Sequence, residues 1–131
     1  MHILIIDDEP DLCWALERML KADGVTVTAV GLGAAALDLV RQYDFALAFI
    51  DAILPDSHGM QVAQQIHALS PHTRLVMMSG YYYEEDRTLS QVPLVGFLAK
   101  PFLRADVQAM LQHAFADEAQ QQEAWVWPTS C

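Results

Sequence analysis

Apolar residues fall into five short runs, separated by segments in which apolar positions recur at helical spacing. The runs are rich in β-branched or aromatic residues and are apolar almost throughout, as is typical of strands covered on both faces. They are Ile3–Asp7, Thr26–Val30, Phe45–Asp51, Arg74–Ser79 and Val95–Ala99. Because strands that alternate with helices form right-handed βαβ units, the pattern predicts a parallel sheet in an α/β fold.

The first helical segment carries Leu12, Leu16 and Met19 on one face, with Pro10 at an early helical position and Gly24 as the predicted stop. Further helices are predicted near Ala34–Gln42, Gly59–Leu69, Tyr83–Leu89 and Arg104–Ala116. The pattern therefore predicts five strands and five helices in strict alternation.

A length of 131 residues and a hydrophobic content of 53% suit one compact core. No apolar run approaches the roughly 18 residues of a membrane-spanning helix, and the first residues lack the basic region and cleavage site of a signal peptide. We therefore expect a soluble, cytoplasmic protein without a membrane partner.

Seven basic and seventeen acidic residues give a formal net charge of −10. This charge opposes direct binding of nucleic acid, since phosphate contacts need Lys and Arg. Cys13 and Cys131 show no paired spacing, and the five His residues are scattered, so neither a disulfide framework nor a zinc site is expected.

Reactive side chains gather where the predicted strands end. The carboxyl ends of parallel strands form the ligand crevice of an open sheet, so these residues should meet there. Each has an ordinary structural explanation alone, such as capping or turn formation, but their common position at one edge favours a site. The residues are Asp7, Asp8 and Glu9 after the first run, Asp51 in the third, Ser79 in the fourth and Lys100 after the fifth.

Neighbouring carboxylates repel one another, and the repulsion is relieved by protonation or by a cation. A hard divalent ion, Mg²⁺ or Mn²⁺, fits oxygen ligands of this kind. Asp8 and Asp51 are the first candidate ligands, Asp7 contributes directly or through water, and the backbone carbonyl of Ile53 is a fourth candidate.

With such a cation and the Lys100 ammonium nearby, an Asp51 oxygen could attack a phosphoryl donor in line and form an aspartyl phosphate. The new group carries about −1.5 to −2 charges and strong acceptor oxygens. The Ser79 hydroxyl could then bond to it, which would reposition the following loop and leave space for an aromatic ring on the adjacent strand.

The strand-end motifs, taken in order, resemble the receiver domain of two-component response regulators over about residues 2 to 116. Five elements in order at strand-end spacing are specific, whereas an acidic pair or a Lys-Pro dipeptide alone is common. The elements are Asp7-Asp8, Asp51 to Pro55 with Gly59, Ser79-Gly80, Phe97, and Lys100-Pro101-Phe102.

The resemblance implies a doubly wound (βα)5 flavodoxin-like sandwich with a parallel five-stranded sheet of order 2-1-3-4-5. It also implies a role for each site residue and a cis bond between Lys100 and Pro101. In these roles Asp51 is the phosphoacceptor, Asp7 and Asp8 are the metal-binding acids, Ser79 is the switch hydroxyl, Lys100 is the phosphate contact and Phe97 is the switch aromatic.

The resemblance implies a sensor histidine kinase or a histidine phosphotransfer protein as phosphoryl donor. The output surface would be the helix predicted over Tyr83–Leu89 with the last strand and last helix, acting on a downstream protein, a fused output domain or a second copy. We divide the chain into a receiver domain over 1–118 and an extension or linker over 119–131, which contains Trp125 and Trp127. One alternative is the amino-terminal receiver of a longer DNA-binding transcriptional regulator.

Several positions depart from the commonest receiver pattern. Ser79 replaces the more frequent Thr and keeps the hydroxyl. Gly80 replaces the more frequent Ala, and the glycine should loosen the loop. Ile53 and Tyr81 are bulky at the two variable positions that flank the acceptor, so we predict slow autodephosphorylation. The Tyr81–Tyr83 run marks either a partner surface or packing.

Three rival classes fit less well. A haloacid-dehalogenase-like phosphatase would need a second Asp two positions after Asp51, where Ile53 stands. A flavodoxin-like FMN carrier would place phosphate against Asp7 and its acidic neighbours, which would repel it. A phosphorylation-independent interaction module would not need every pocket residue. We therefore expect a regulatory phosphoacceptor that assists its own phosphorylation and dephosphorylation, and no turnover enzyme.

Overall fold

The computed structural model describes residues 1–80 and 92–116. Five strands and four helices follow one another in this part of the chain. They are β1 (His2–Ile6), α1 (Pro10–Leu20), β2 (Thr26–Val30), α2 (Gly33–Gln42), β3 (Leu47–Asp51), α3 (Gly59–Leu69), β4 (Arg74–Ser79), β5 (Leu94–Ala99) and α4 (Arg104–Ala114). None of these helices is long and apolar enough to cross a membrane.

The five strands form one parallel sheet in the order β2-β1-β3-β4-β5, which confirms the predicted fold and strand order. β1 lies between β2 and β3, and the chain then proceeds outward through β4 to β5. The strand order thus reverses at β1 and β3, where a crevice opens in folds of this kind. Asp51 ends β3 and Asp7 directly follows β1, so both carboxylates lie at that crevice.

Apolar side chains form a separate core on each face of the sheet. On one face Leu16 of α1 and Leu111 of α4 pack against Ile5 and Phe49. On the other, residues of α2 and α3 such as Val62 pack against the remaining strand positions. The alternation of side chains across each strand explains why nearly every β1 and β3 residue is buried.

The element boundaries differ from the predictions at several ends. β1 is one residue earlier than predicted, so Asp7 lies just beyond it while its N–H still donates to Val30 O at 2.9 Å. β3 begins at Leu47, later than predicted, and β5 begins at Leu94, one residue earlier than predicted. α2 begins one residue earlier than predicted, at Gly33, and α4 ends earlier than predicted, at Ala114.

The predicted role of Gly24 as helix stop was wrong. α1 ends at Leu20 because Lys21 is already extended, with ψ 125°. Gly24 instead has φ 78° in the turn that leads into β2, a conformation that favours glycine. The helix predicted over Tyr83–Leu89, Tyr81 and the 119–131 extension lie outside the described residues.

Candidate functional site

Three carboxylates converge at the carboxyl edge of the sheet. Asp7, Asp8 and Asp51 each offer an oxygen, and these three atoms all lie within 4.8 Å of one another. Asp7 and Asp51 are buried, whereas Asp8 is exposed. A cleft of about 370 Å³ opens beside Asp7 and Asp8 toward Pro55. The predicted acidic cluster is therefore a compact group, and two of its members, Asp7 and Asp8, line a cleft.

The Lys100 ammonium lies among these acids. Its Nζ donates to Asp7 Oδ2 at 2.7 Å and lies 3.4 Å from Asp51 Oδ1 and 3.6 Å from Glu9 Oε1. The Asp7 side chain is fully buried, and that of Lys100 is 15% exposed. Because a buried charge needs a partner, the close contact with Asp7 accounts for the placement of both residues.

The two buried site groups have shifted pKa values. Burial, and next the Asp7 charge, raise the pKa of Asp51, although Lys100 and the Ile53 N–H act in the opposite direction. For Lys100 the largest single contribution is burial, which lowers the pKa. The hydrogen bond to Asp7 and the surrounding carboxylate charges outweigh it, so the pKa of Lys100 is raised overall. The site thus stabilises the ammonium and destabilises the Asp51 carboxylate.

Backbone contacts fix the acceptor loop, defined as residues 52–58, at its base. Ala52 N donates to Met78 O at 2.8 Å, and Gly59 N donates to Ala52 O at 2.8 Å. Gly59 approaches Asp51 so closely that a Cβ there would collide with the Asp51 carbonyl oxygen and lie 2.8 Å from Ala52 Cα. Glycine at this position therefore allows α3 to begin directly against the end of β3.

Ile53 lies within the acceptor loop. Its N–H donates to Asp51 Oδ1 at 3.4 Å, and its side chain is 59% exposed. The backbone N–H of Ile53 is thus adjacent to the Asp51 carboxylate, and the part of its carbonyl in a metal site stays a prediction.

Ser79 and Phe97 lie on neighbouring strands. Ser79 ends β4 and is buried, and its carbonyl accepts from Lys100 N at 2.8 Å. Phe97 pairs in register with Met77, and Ser79 pairs with Ala99, so Ser79 and Phe97 project on the same face of the sheet. Phe97 is partly buried against the α2–α3 core. The structure also contains the cis bond expected between Lys100 and Pro101.

This donor set fits a divalent metal ion. Two buried carboxylates and one exposed carboxylate within ligand reach of one another are hard oxygen donors of the kind that Mg²⁺ and Ca²⁺ prefer. Burial is the largest cause of the raised pKa of Asp51, and the Asp7 charge adds to it, so a cation at this cluster would relieve the cost of the buried charges. The acidic cluster could therefore hold a metal ion.

Two polar contacts were not predicted from the sequence. Glu9 reaches Lys100 at 3.6 Å, and Asp56 of the acceptor loop binds the first amides of α2. The acidity of Glu9 and the turn composition around Asp56 are visible in the sequence, but neither identifies a partner so distant along the chain.

Residues 3–112 match the family model of the response regulator receiver domain, and the chain belongs to this family. The match covers most of the chain, and the fold and acidic cluster described above agree with it. The protein is thus a receiver domain of the kind found in two-component signal transduction, as the sequence motifs predicted.

Similar proteins include the cell cycle response regulator CtrA of Brucella ovis, which is 28% identical over 116 residues, covering 85% of this chain and 48% of that protein. The chain thus spans about half the length of the curated relatives it matches. A receiver domain of a Pseudomonas aeruginosa sensor histidine kinase, solved with magnesium in its active-site cleft, is 28% identical with a TM-score of 0.76, covering 88% of this chain and 97% of that one.

A response regulator from Burkholderia pseudomallei, solved with a phosphorylated aspartic acid, a calcium ion and citrate, is 27% identical with a TM-score of 0.76. The alignment covers 94% of this chain and 72% of that one. A receiver domain protein from Methanospirillum hungatei shares the fold with a TM-score of 0.83 at 23% identity, covering 92% of this chain and 97% of that one.

Proposed function

We propose that Asp51 accepts a phosphoryl group and that the surrounding residues convert its phosphorylation into a change of conformation. The observation that carries this assignment is an asymmetry in how the carboxylates are bonded. Asp7 uses both oxygens, since Oδ1 accepts from Glu9 N at 2.9 Å and Oδ2 from Lys100. Within the described residues, the contacts of Asp51 all go to Oδ1. The Oδ2 atom is thus suited to act as the nucleophile.

The proposed step transfers one phosphoryl group, and no atom changes its oxidation state. An Asp51 oxygen bonds to phosphorus while the bond from phosphorus to the donor nitrogen or oxygen breaks. That donor atom keeps the bonding pair; a histidine nitrogen takes up a proton, whereas acetate leaves as the anion. Lys100 then contacts the phosphoryl oxygens, because its flexible stem carries three donors and the added negative charge competes with Asp7.

Asp7, Asp8, Asp51 and the Ile53 carbonyl are the residues that would hold Mg²⁺ or Mn²⁺. When bound, the ion supplies neutralisation of negative charge on the phosphoryl oxygens. The magnesium in the active-site cleft of the Pseudomonas receiver supports a divalent ion at this site.

Ser79 and Phe97 are the residues we assign to the conformational response. Asp51 and Ser79 end the neighbouring strands β3 and β4. The Ser79 hydroxyl can therefore donate to a phosphoryl oxygen on Asp51. Because Ser79 and Phe97 share one sheet face on adjacent strands, a shift of Ser79 toward Asp51 changes the space available to the Phe97 ring.

Treatment of wild type and Asp51→Asn with acetyl phosphate and Mg²⁺ tests this function. Intact-mass measurement should show a phosphate-sized gain in wild type and none in Asp51→Asn. Asp38→Asn changes an exposed carboxylate of α2 and is the matched control, so it should behave as wild type. An equal mass gain in Asp51→Asn would reject Asp51 as the acceptor.

We propose that the physiological donor is a phosphohistidine on a sensor histidine kinase or phosphotransfer protein. Large apolar side chains are exposed on three loops that follow β2, β3 and β5, namely Leu32, Ile53 and Leu103, with 45%, 59% and 72% exposure. An apolar rim around an acidic cleft suits docking of a protein surface, whereas a small phosphoryl donor would need no such rim.

The phosphorylated state is proposed to act through a downstream protein, a fused output domain or a second copy, at the surface that includes β5 and α4. A cleft of about 420 Å³ on that surface is lined by Phe97, Ala99 and Met110 among others. Light scattering before and after phosphorylation tests for a dimer, and the control is Asp51→Asn treated in the same way. An unchanged mass in solution would reject the second copy as the output partner.

A further inference from the structure

Asp56 binds the start of α2 through both carboxylate oxygens. Gly33 N donates to Asp56 Oδ1 at 2.9 Å, and Ala34 N donates to Oδ2 at 3.1 Å. α2 has Leu32 at its N-cap and no side-chain cap of its own. Asp56 therefore satisfies orphan amides of α2 from a different part of the chain, where the helix dipole favours a negative charge.

The acceptor loop that carries Asp56 is a small closed turn. Leu54 N donates to Ser57 O at 3.0 Å, and Ser57 Oγ donates to Asp56 Oδ1 at 3.1 Å. Ile53 and His58 form an antiparallel bridge. Asp56 is thus at the tip of the loop, while Asp51 lies at its base.

The first turn of α2 and the acceptor loop are in close contact. A Cβ on Gly33 would collide with Ser57 Oγ and lie 2.7 Å from Val62 Cγ2. Two residues earlier, a Cβ on Gly31 would lie 3.4 Å from Asp8 Cα. The segment from Gly31 to Gly33 therefore touches both the acceptor loop and the backbone of a proposed metal-binding acid.

We propose that Asp56 is a positioning residue for the metal site, holding the acceptor loop against α2 so that the Ile53 carbonyl stays beside Asp51. This inference rests on the proposed function, since it assumes a divalent ion bound by Asp7, Asp8, Asp51 and Ile53. The side chain of Ile53 is largely exposed and does not anchor its own backbone, whereas the neighbouring Leu54 is buried in the core with α2 and α3. Hydrogen bonds at the tip of the loop and at its base therefore act together with the packing of Leu54 to determine where that carbonyl lies.

Groups that orient metal ligands from one contact away typically change affinity about 10- to 100-fold when removed. Asp56→Ala removes both acceptors, whereas Asp56→Asn keeps one acceptor oxygen. We expect the Kd for Mg²⁺ to rise about tenfold in Asp56→Ala and by a smaller factor in Asp56→Asn. Gly33→Ala leaves Asp56 intact but forces loop and helix apart, so its Kd should also rise.

Isothermal titration with MgCl₂ on the full chain, with urea unfolding of each variant, separates positioning from simple capping. Asp38→Ala, on the exposed face of the same helix and paired with Arg41 at 3.0 Å, is the control and should bind Mg²⁺ as wild type does. Acetyl phosphate labelling at saturating Mg²⁺ should bring Asp56→Ala back toward the wild-type rate.

A Kd for Mg²⁺ within twofold of wild type in Asp56→Ala and Gly33→Ala, with only a loss of unfolding free energy, would overturn the inference and leave Asp56 as a helix cap. Should Asp56→Ala not fold, Asp56→Asn and Gly33→Ala decide the matter by the same criterion. A wild-type chain that binds no Mg²⁺ would instead reject the proposed function, and the positioning role with it.

Discussion

Lys100 Nζ lies 2.7 Å from Asp7 Oδ2, although 93 residues separate the two along the chain. The contact joins the loop after β5 to the end of β1, across two intervening strands of the sheet. It places a cation among carboxylates that also form the candidate metal site. A lysine and a metal ion in such a place compete for the same oxygens.

Replacing Lys100 by Ala should therefore change metal binding and phosphorylation in opposite directions. Loss of the ammonium should tighten Mg²⁺ binding about fivefold, since about 1 kcal/mol of charge repulsion is removed. Phosphorylation by acetyl phosphate should slow about a hundredfold, because the variant lacks one hydrogen-bond donor to the negative charge that develops on the phosphoryl oxygens.

Titration calorimetry and intact-mass time courses measure the two effects. Lys21→Ala, which alters an exposed cation at the end of α1, is the control and should change neither. Weaker Mg²⁺ binding in Lys100→Ala would show that Lys100 supports the metal site rather than competing with it.

Asp51→Asn should stabilise the metal-free protein at neutral pH. Burial and the Asp7 charge raise the pKa of Asp51 above its unfolded value of 3.8. A raised pKa means that the folded state prefers the protonated form, so this stabilisation is complete below the unfolded value and lost as pH rises through the folded value. The neutral amide resembles the protonated carboxyl and retains the benefit at pH 7.

Urea unfolding in EDTA, measured at pH 7 and again below pH 4, tests this linkage. The advantage of Asp51→Asn should be present at pH 7 and shrink in acid, where Asp51 itself is protonated. The Kd of wild type for Mg²⁺ should rise as pH falls toward the raised pKa. A destabilised Asp51→Asn at pH 7 would contradict the prediction.

Gly59→Ala should cost about 2 kcal/mol of unfolding free energy, because an added Cβ collides with the Asp51 backbone. Gly80→Ala is the matched control, since among residues 1–80 and 92–116 no neighbouring atom lies within 4 Å of a Cβ at that position. It should be neutral or stabilise by about 0.5 kcal/mol through the unfolded state. Equal unfolding free energies for the two variants would contradict the close packing at Gly59.

Leu103→Ser should slow phosphotransfer from a histidine kinase about tenfold if the apolar rim docks the donor protein, and leave labelling by acetyl phosphate unchanged. Leu69→Ser is the control, because Leu69 is also exposed but ends α3 at the opposite edge of the sheet. A variant that slows with both donors would indicate damage to the site instead of lost docking.

Local patterns predicted most of the secondary structure. Thr26–Val30 and Arg74–Ser79 have the predicted bounds, since turn residues flank both apolar runs. Gly24 misled the prediction because glycine with positive φ serves turns as well as helix ends. The strand order came from the family resemblance, because apolar runs carry no information on which strands become neighbours.

The gathering of Asp7, Asp8, Asp51 and Lys100 could be predicted because each follows from a single rule about strand ends. The individual contacts within the site could not be predicted. Asp56 meets Gly33 because α2 packs beside the acceptor loop, and Glu9 meets Lys100 because β5 lies in the same sheet as β1. Contacts between residues so far apart along the chain leave no local signal in the sequence. The roles of Asp51 and Lys100 are predictions that the variants above test, and the switch roles of Ser79 and Phe97 stay predictions.

The hydrogen bond from Lys100 N to Ser79 O closes the β4–β5 pairing at its last partners, Ser79 and Ala99. The two main chains are therefore tied together beneath the side chains that face the acceptor. A response by these residues to a new charge can begin with rotation about side-chain torsions, which is faster than collective backbone motion on the microsecond-to-millisecond timescale. Detection of the acyl phosphate is thus expected to be fast compared with whatever rearrangement transmits it.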